Sequence, residues 1–232
     1  MIGLKRMRRS RSSASSGNGP TLTGFDTNRR AELIARGKRL QYFTVAWNSL
    51  EGIAAVAAGV LAGSISLISF GLDSFIEVTS GAAALWRIST ESNIERKERV
   101  EQISLKIVGA CFLALAAYVA LDSTALLIRH EAPRKSIFGM AVAIASLIVM
   151  PLLARAKRKI GAELRSAALT ADARQTDFCV YLSAIVLAGL LLNVIFGWWW
   201  SDPVAGLVMV PLIAKEGIEA VRGETSCATY MD

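Results

Sequence analysis

Two carboxyl groups four residues apart in an otherwise apolar stretch are the side chains best suited to chemistry in this chain. Asp73 and Glu77 have the i, i+4 spacing that places both side chains on one face of a helix, with their head groups close together. Two anions so close repel each other unless a proton or a cation lies between them. A divalent metal ion bound by both removes this repulsion directly. The alternative interpretation is a pair of carboxylates that line a water-filled mouth and contact water alone.

A second set of polar residues lies further along the chain. Its members share one stripe of a helix at ~3.6 residues per turn, and they are Asp172, Gln175, Thr176, Cys179 and Ser183. The stripe offers an amide oxygen, a hydroxyl and a thiol, all of which can bind a metal ion. Singly, each has a structural alternative, because a buried Cys often acts as a small apolar residue and a membrane Gln often joins two helices. Opposite a pair of carboxylates, the set favours a binding site.

Three other polar residues lie in or beside the same apolar stretches. Asn48 and Glu51 are three residues apart on one helix face, where they would line a path to the site or support its ligands; interhelical hydrogen bonding is the structural alternative. Asp177 lies two residues from Gln175, so we expect it to point to the other side. An acidic residue at mid-bilayer costs roughly 2.5–3.5 kcal/mol. We therefore expect the acidic residues of these stretches to face a bundle interior, a cavity or a cation.

The composition predicts that these residues lie in a membrane. Of the 232 residues, 53% are hydrophobic and 19% are charged, and the mean hydropathy is +0.43. This profile excludes a disordered chain, a disulfide-stapled miniprotein and a nucleic-acid-binding protein of ordinary type. The net charge of +7 is explained more simply by basic loops on one side of a membrane than by a polyanionic partner. The three cysteines show no pairing pattern, and we expect them to be reduced.

Six apolar segments predict an all-α integral membrane protein, an antiparallel bundle of six transmembrane helices. A helix of about 20 residues crosses the hydrocarbon core, and the segments near that length are residues 42–62, 68–86, 105–127, 137–153, 176–198 and 203–221. Asp202 precedes Pro203, and we expect it to cap the sixth helix. The spacing Gly59-xxx-Gly63 predicts close helix packing.

The positions of lysine and arginine predict that both termini lie in the cytoplasm. Basic residues crowd the N-terminal arm and the second and fourth loops, whereas the first and fifth loops have none. The basic residues assigned to the fourth loop are Arg155, Lys157, Arg158, Lys159 and Arg165. This pattern is typical of a multi-pass protein of the cell membrane.

The chain divides into three predicted parts. Residues 1–40 are a basic, low-complexity cytoplasmic arm, in which residues 9–17 are expected to be disordered. Residues 41–223 are the six-helix transmembrane domain. Residues 224–232 are a short cytoplasmic tail, too short for a folded C-terminal domain.

The order of these features resembles the cation diffusion facilitator family. That family has a ligand motif in its second helix, an acid or His followed after three residues by Asp. The stretch from Ser66 to Glu77 looks like this motif, with Asp73 and Glu77 at the ligand positions. The Asp202-Pro203 pair looks like the opening of the family's sixth helix.

The fifth-helix motif of the family is a His, three residues and an Asp after an Ala-Asp-Ala lead-in. Ala171-Asp172-Ala173 resembles the lead-in, and the motif then places Gln175 and Cys179 where the family has His and Asp. The resemblance therefore implies a metal site formed by Asp73, Glu77, Gln175 and Cys179. The residues that would line its pathway are Asp172, Thr176, Asn48, Glu51 and Asp177.

This resemblance implies a secondary transporter of divalent metal cations, with no prosthetic group. A thiolate beside two carboxylates suits Zn²⁺ or Cd²⁺, whereas an oxygen-rich site with Gln suits Mn²⁺ or Fe²⁺; Zn²⁺ is the first expectation. Efflux from the cytoplasm by proton exchange is implied as well, because metal binding releases protons from the ligands. The resemblance also implies a homodimer, in a short divergent member that lacks the family's C-terminal cytoplasmic domain.

The residues alone are also compatible with two functions of other classes. A membrane-embedded enzyme acting on lipid would also place acidic pairs in helices, although neither the Gly-x-Gly-Asp signature nor the longer acidic motif of alcohol transferases is present. A non-transporting scaffold or partner protein would keep Gln175 and Cys179 as marks of a lost site.

Overall fold

The computed structural model describes residues 22–89, 94–131, 133–164 and 167–222. This part of the chain consists of helices and short connections, without a strand. The helices are α1 (Leu22–Ala62), α2 (Ile65–Ser89), α3 (Ile94–Arg129), α4 (Ile137–Leu164), α5 (Ala167–Phe196) and α6 (Ser201–Arg222). The predicted disordered segment 9–17 and the predicted tail 224–232 lie outside the described residues.

Each helix is longer than the apolar segment that predicted it. α1 begins at Leu22 rather than at residue 42, and α5 begins at Ala167 rather than at residue 176. Hydropathy marks only the apolar part of a helix, whereas backbone hydrogen bonding continues into polar sequence until a residue terminates it. For the same reason α4 continues past Pro151 to Leu164. The run of basic residues from 155 to 159 therefore lies on α4 and not in a loop.

Four of the helices are long and apolar enough to cross a membrane. By length and composition these spans are Arg29–Ala62, Leu105–Arg129, Ile137–Leu164 and Asp172–Phe196. The other two helices contain buried acidic residues, which are Asp73 and Glu77 in α2 and Asp202 in α6. Six helices are therefore confirmed within the described residues, and the composition supports four of them as spans.

α2 lies at the centre of the bundle. It packs against α1, α3, α5 and α6, while α4 packs along α5 and also contacts α1. α3 and α6 form a further closely packed pair. The largest side chains of the apolar core include Phe70, Phe112, Met150, Leu182 and Met209. Because α2 has neighbours on several sides, its polar side chains are enclosed by protein.

Three connections meet at one end of the bundle, which we call the turn end (residues 63–64, 130–136 and 197–200). The amide of Arg134 donates a hydrogen bond to the carbonyl of Ala62 at 2.7 Å. The ring of His130 lies 4.8 Å from that of Trp199. α1, α3 and α5 therefore run toward the turn end, and α2, α4 and α6 run away from it, as an antiparallel bundle requires.

The turn between α1 and α2 depends on Gly63, whose φ is +67°. The amide of Ser64 donates to the carbonyl of Gly59 at 2.9 Å, and the amide of Gly63 donates to that of Val60 at 3.4 Å, which is the Schellman pattern at a helix end. Gly63 thus ends α1 and does not pack against another helix, contrary to the prediction from its spacing to Gly59. Gly59 itself does lie against α2, since a Cβ there would be 2.8 Å from the amide nitrogen of Ile68.

Asp202 caps α2 and not α6, so the prediction for this residue was wrong. Its carboxylate accepts hydrogen bonds from the hydroxyl of Ser64 at 2.6 Å and from the amide of Ile65 at 3.0 Å. The hydroxyl of Ser66 donates to it as well. Asp202 lies in the first turn of α6 and is fully buried against the start of α2, where it satisfies a free amide and complements the helix dipole.

α1 and α2 also approach each other closely at Gly71. A Cβ on this residue would lie 2.8 Å from the amide nitrogen of Val56 and 2.9 Å from the carbonyl oxygen of Gly52. Both are backbone atoms of α1, which cannot rotate aside as the end of a side chain can. This approach sets the distance between the helix that carries Asp73 and Glu77 and its neighbour.

We therefore expect Gly71→Ala to lower the free energy of unfolding by about 1–3 kcal/mol through overpacking. Gly37→Ala is the matched control, since a Cβ there would meet only side-chain atoms at 3.6–4.0 Å, and alanine is the better helix former. Thermal unfolding in detergent micelles compares the two variants. A midpoint for Gly71→Ala equal to that of Gly37→Ala would contradict the close approach.

Candidate functional site

Asp73 and Glu77 are buried in the interior of the bundle. Their exposed fractions are 2% and 1%. The hydroxyl of Thr176 on α5 donates to Oε1 of Glu77 at 2.8 Å, and the thiol of Cys179 interacts electrostatically with both carboxyl groups. The acidic pair of α2 therefore faces α5.

The polar stripe of α5 is buried along its length. Asp172, Thr176, Cys179 and Ser183 are between 0% and 3% exposed, and they follow one another at spacings of four, three and four residues, the repeat of a single helix face. Gln175 lies at the edge of this stripe and is half-buried. Its side-chain nitrogen is buried without a hydrogen-bond partner.

Asp177 lies on a different face of α5. Its carboxylate forms an ion pair with the guanidinium of Arg158 on α4, and the two side chains are 38% and 54% exposed. The structure thus places Asp73, Glu77, Thr176 and Cys179 next to one another and leaves Asp177 outside this group.

The donor atoms of the acidic residues do not converge on one point. Within the described ranges, no group of three or more His, Cys, Asp or Glu side chains is arranged so that it could hold a metal ion. Asp73, Glu77 and Cys179 are neighbours, but binding of one ion by all three requires side-chain rotations that bring their donor atoms together.

A buried lysine lies beside the acidic residues and is absent from the predicted site. Lys157 of α4 is 0% exposed. Its ammonium group forms a salt bridge with Oδ2 of Asp172 at 2.8 Å and donates to the hydroxyl of Thr176 at 2.8 Å. The prediction that Lys157 belongs to the fourth loop was wrong, because α4 continues through this position. A signal was present in the sequence: Lys157 follows Met150 and Leu153 at the spacing of one helix face.

Gln41 of α1 joins the same carboxyl group. Its side-chain nitrogen donates to Oδ2 of Asp172 at 2.9 Å and to the carbonyl oxygen of Gly81 on α2 at 3.2 Å. Gln41, Gly81, Lys157 and Asp172 thereby link α1, α2, α4 and α5. We call these four residues the Asp172 network. Gln41 could not be singled out from the sequence, because one amide in a polar stretch has no distinctive spacing.

Asn48 and Glu51 of α1 are buried level with the acidic pair, because the adjacent Gly52 lies against Gly71 and Phe75 of α2. Their exposed fractions are 0% and 4%. Neither carboxylate oxygen of Glu51 and neither amide atom of Asn48 has a hydrogen-bond partner. Ser146 of α4 and Ser74 of α2 nevertheless lie close enough to interact with Glu51, so interhelical contact remains the structural alternative for this pair.

The sequence also matches a known protein family and several known proteins. The cation efflux transmembrane domain matches residues 42–226. An uncharacterized transporter of Methanocaldococcus jannaschii is 28% identical over 195 residues, which cover 82% of this chain and 66% of the relative. The magnetosome protein MamB of Paramagnetospirillum magneticum is 31% identical over 182 residues, covering 75% and 60%. Transmembrane protein 163 of Xenopus laevis is 28% identical over 196 residues, covering 80% and 68%. The chain thus spans about two thirds of the length of these relatives.

We expect Lys157→Met to destabilise the protein by roughly 3–5 kcal/mol, because it leaves the Asp172 carboxylate buried without a counter-charge. Arg158→Met is the matched control: it removes the neighbouring basic residue and its ion pair with α5, but that pair is exposed and contributes only about 0–1 kcal/mol. Thermal unfolding in detergent measures both variants. Equal midpoints for Lys157→Met and Arg158→Met would contradict the importance of the buried pair.

Proposed function

Because this chain belongs to the cation efflux family, we propose that it is a secondary transporter of divalent metal cations with its site between α2 and α5. The burial of Asp73 and Glu77 at the centre of the bundle, opposite the Cys179 thiol, is the observation that carries this proposal. Acidic groups enclosed in a membrane bundle require a cation, a proton or a hydrogen-bonding partner. Oε2 of Glu77 has no such partner among the described residues, so it is available as a ligand.

The proposed ligands are Asp73, Glu77, Cys179 and Gln175. Gln175 lies one turn before Cys179, and its amide nitrogen makes no hydrogen bond, so the amide is free to turn its oxygen toward an ion. Two carboxylates, a thiolate and an amide oxygen make up four ligands, the number that Zn²⁺ prefers. Zn²⁺ is therefore the first substrate to test, with Cd²⁺ favoured by the thiolate and Mn²⁺ or Fe²⁺ by the oxygen donors.

Alternating access requires that each side of the site closes in turn. The Asp172 network lies beyond the site on the side opposite the turn end, because Gly81 follows Glu77 by one turn on α2 and Asp172 precedes Cys179 on α5. Its contacts join all four helices that surround this side. We propose that the network keeps this side closed and separates when an ion passes.

The proposed direction of transport is efflux from the cytoplasm. With both termini in the cytoplasm, the beginning of α1 and the Asp172 network lie on the cytoplasmic side. Metal then enters from the cytoplasm and leaves at the turn end, and protons that enter from outside exchange for it. A homodimer is part of the same proposal.

The central assignment is tested by removing one carboxyl group at a time. We expect Asp73→Ala and Glu77→Ala each to abolish Zn²⁺ uptake into proteoliposomes with expression intact, because each loses a charged ligand. Asp177→Ala is the control, since this carboxylate pairs with Arg158 on the outer side of α5, and its uptake should stay close to the wild-type rate. Robust uptake by Glu77→Ala would refute the site. Lipid turnover without metal flux would favour the alternative of a membrane-embedded enzyme. A stable complex that shows neither metal flux nor lipid turnover would favour the alternative of a scaffold protein.

The contribution of the thiol is tested by metal preference. We expect Cys179→Ser to weaken stabilisation by Zn²⁺ and Cd²⁺ relative to Mn²⁺, because a hydroxyl is a harder ligand than a thiolate. Cys111→Ser is the matched control, since Cys111 is a free thiol on the exposed surface. Thermal unfolding across a panel of divalent ions provides the measurement. The same order of ions for Cys179→Ser and wild type would remove Cys179 from the ligand set.

A further inference from the structure

We propose that Glu51, on α1, is the ligand of a second cation site that holds one monovalent cation and is separate from the metal site. Occupancy of this site by a proton or by Na⁺ would couple metal movement to a second gradient. The inference rests on the proposed function, since a coupling site has meaning only in a transporter.

Buried polar atoms without partners cluster at Glu51. Both carboxylate oxygens of Glu51, both amide atoms of Asn48 and the indole nitrogen of Trp47 are buried and make no hydrogen bond. A buried polar group without a partner is unfavourable, and a charged one is more so. Three adjacent side chains in this condition do not stabilise the fold by themselves, so the cluster points to a ligand that would satisfy them.

The side chains that face Glu51 supply oxygen donors. Ser146 of α4 and Ser74 of α2 face Glu51 and are fully buried. The hydroxyl of Ser74 donates to the carbonyl of Phe70 at 3.1 Å, which leaves its oxygen lone pairs free to accept. Ser146 is in turn positioned by a hydrogen bond of 3.0 Å to Ser183 of α5. A carboxylate, hydroxyls and an amide oxygen form an all-oxygen donor set, which suits a hard cation, in contrast to the thiol-containing metal site.

The buried carboxyl groups differ in how their negative charge is offset. Asp172 is offset by Lys157 at 2.8 Å, and Asp73 and Glu77 would be offset by a divalent ion. Among the described ion pairs none includes Glu51. One carboxylate without a counter-charge requires one positive charge, and a monovalent cation supplies it.

Coupling between the two sites follows from their proximity. The titratable groups that interact with Glu51 are Glu77 and Asp73 on α2 and Cys179 on α5, while α4 faces it with Ser146. A cation at Glu51 removes a negative charge that attracts metal to Glu77, so it weakens metal binding. Linkage makes this effect reciprocal, and metal binding expels the monovalent cation. Exchange of the two cations is the consequence.

The test uses the full chain in proteoliposomes with Zn²⁺ as the transported ion. One arm imposes an opposing proton gradient, and a second arm imposes an opposing Na⁺ gradient at constant pH, so that the two sources of monovalent charge are distinguished. For Glu51→Gln we expect the gradient-dependent part of Zn²⁺ flux to fall by roughly tenfold or more, while equilibrium Zn²⁺ binding is retained. Asp122→Asn, a carboxyl group of α3 outside these sites, is the control and should keep the wild-type response.

A second variant keeps the test decisive if Glu51→Gln does not fold. Ser146→Ala removes one hydroxyl that faces Glu51 and leaves every charge in place. We expect a several-fold higher concentration of the coupling cation for half-maximal Zn²⁺ flux, with unchanged Zn²⁺ affinity. A purely structural role of Ser146 would leave that concentration unchanged, and such a result would overturn the proposal.

The remaining outcomes separate this inference from the proposed function. Wild-type gradient stimulation in Glu51→Gln would overturn the second site and leave the transporter intact. Loss of equilibrium Zn²⁺ binding in a folded Glu51→Gln protein would also overturn it, because Glu51 would then belong to the metal site. Wild-type protein without Zn²⁺ flux in either arm would overturn the proposed function itself.

Discussion

The salt bridge between Lys157 and Asp172 is the interaction on which the polar centre of this bundle depends. Both side chains are removed from solvent, and each would be strongly unfavourable there without the other. Their pairing fixes α4 against α5, and Gln41 extends the contact to α1 and α2 through the same carboxylate. Lys157 also donates to Thr176, which donates to Glu77. A continuous chain of hydrogen bonds therefore connects the salt bridge to the acidic pair.

Contacts to the backbone of α2 determine the position of the acidic pair. Asp202 holds the first turn of α2 from the neighbouring helix α6, and the close approach at Gly71 sets the distance to α1. With its start capped and its side against α1 constrained, α2 can present Asp73 and Glu77 only toward α5. The orientation of a helix within a membrane bundle is set by packed small residues and satisfied polar groups, since hydrophobic burial does not distinguish helix faces within lipid.

The buried polar residues differ in chemical type from one part of the bundle to the next. The salt-bridged residues lie furthest from the turn end, the acidic pair and Cys179 lie between α2 and α5, and Glu51 faces Ser146 and Ser74 from α1. Among these three groups a thiol occurs only beside the acidic pair, where the ligand set of the family's motif falls on Gln175 and Cys179. The arrangement supports one site for a softer divalent ion and another, made of oxygen alone, for a monovalent cation.

The sequence by itself determined the local features of this protein, which are its helices and the residues that share a helix face. The apolar segments predicted six helices, and the i, i+4 spacing placed Asp73 and Glu77 on one face, because both depend only on the period of the helix. The family could be identified from two short motifs for the same reason. The pairing of Lys157 with Asp172 was decided by tertiary structure alone, since it required α4 to continue beyond its apolar part and to turn that face inward. The capping of α2 by Asp202 was likewise beyond sequence reasoning, because the amide that it satisfies comes from a distant part of the chain, and only packing of α6 against α2 brings it within reach.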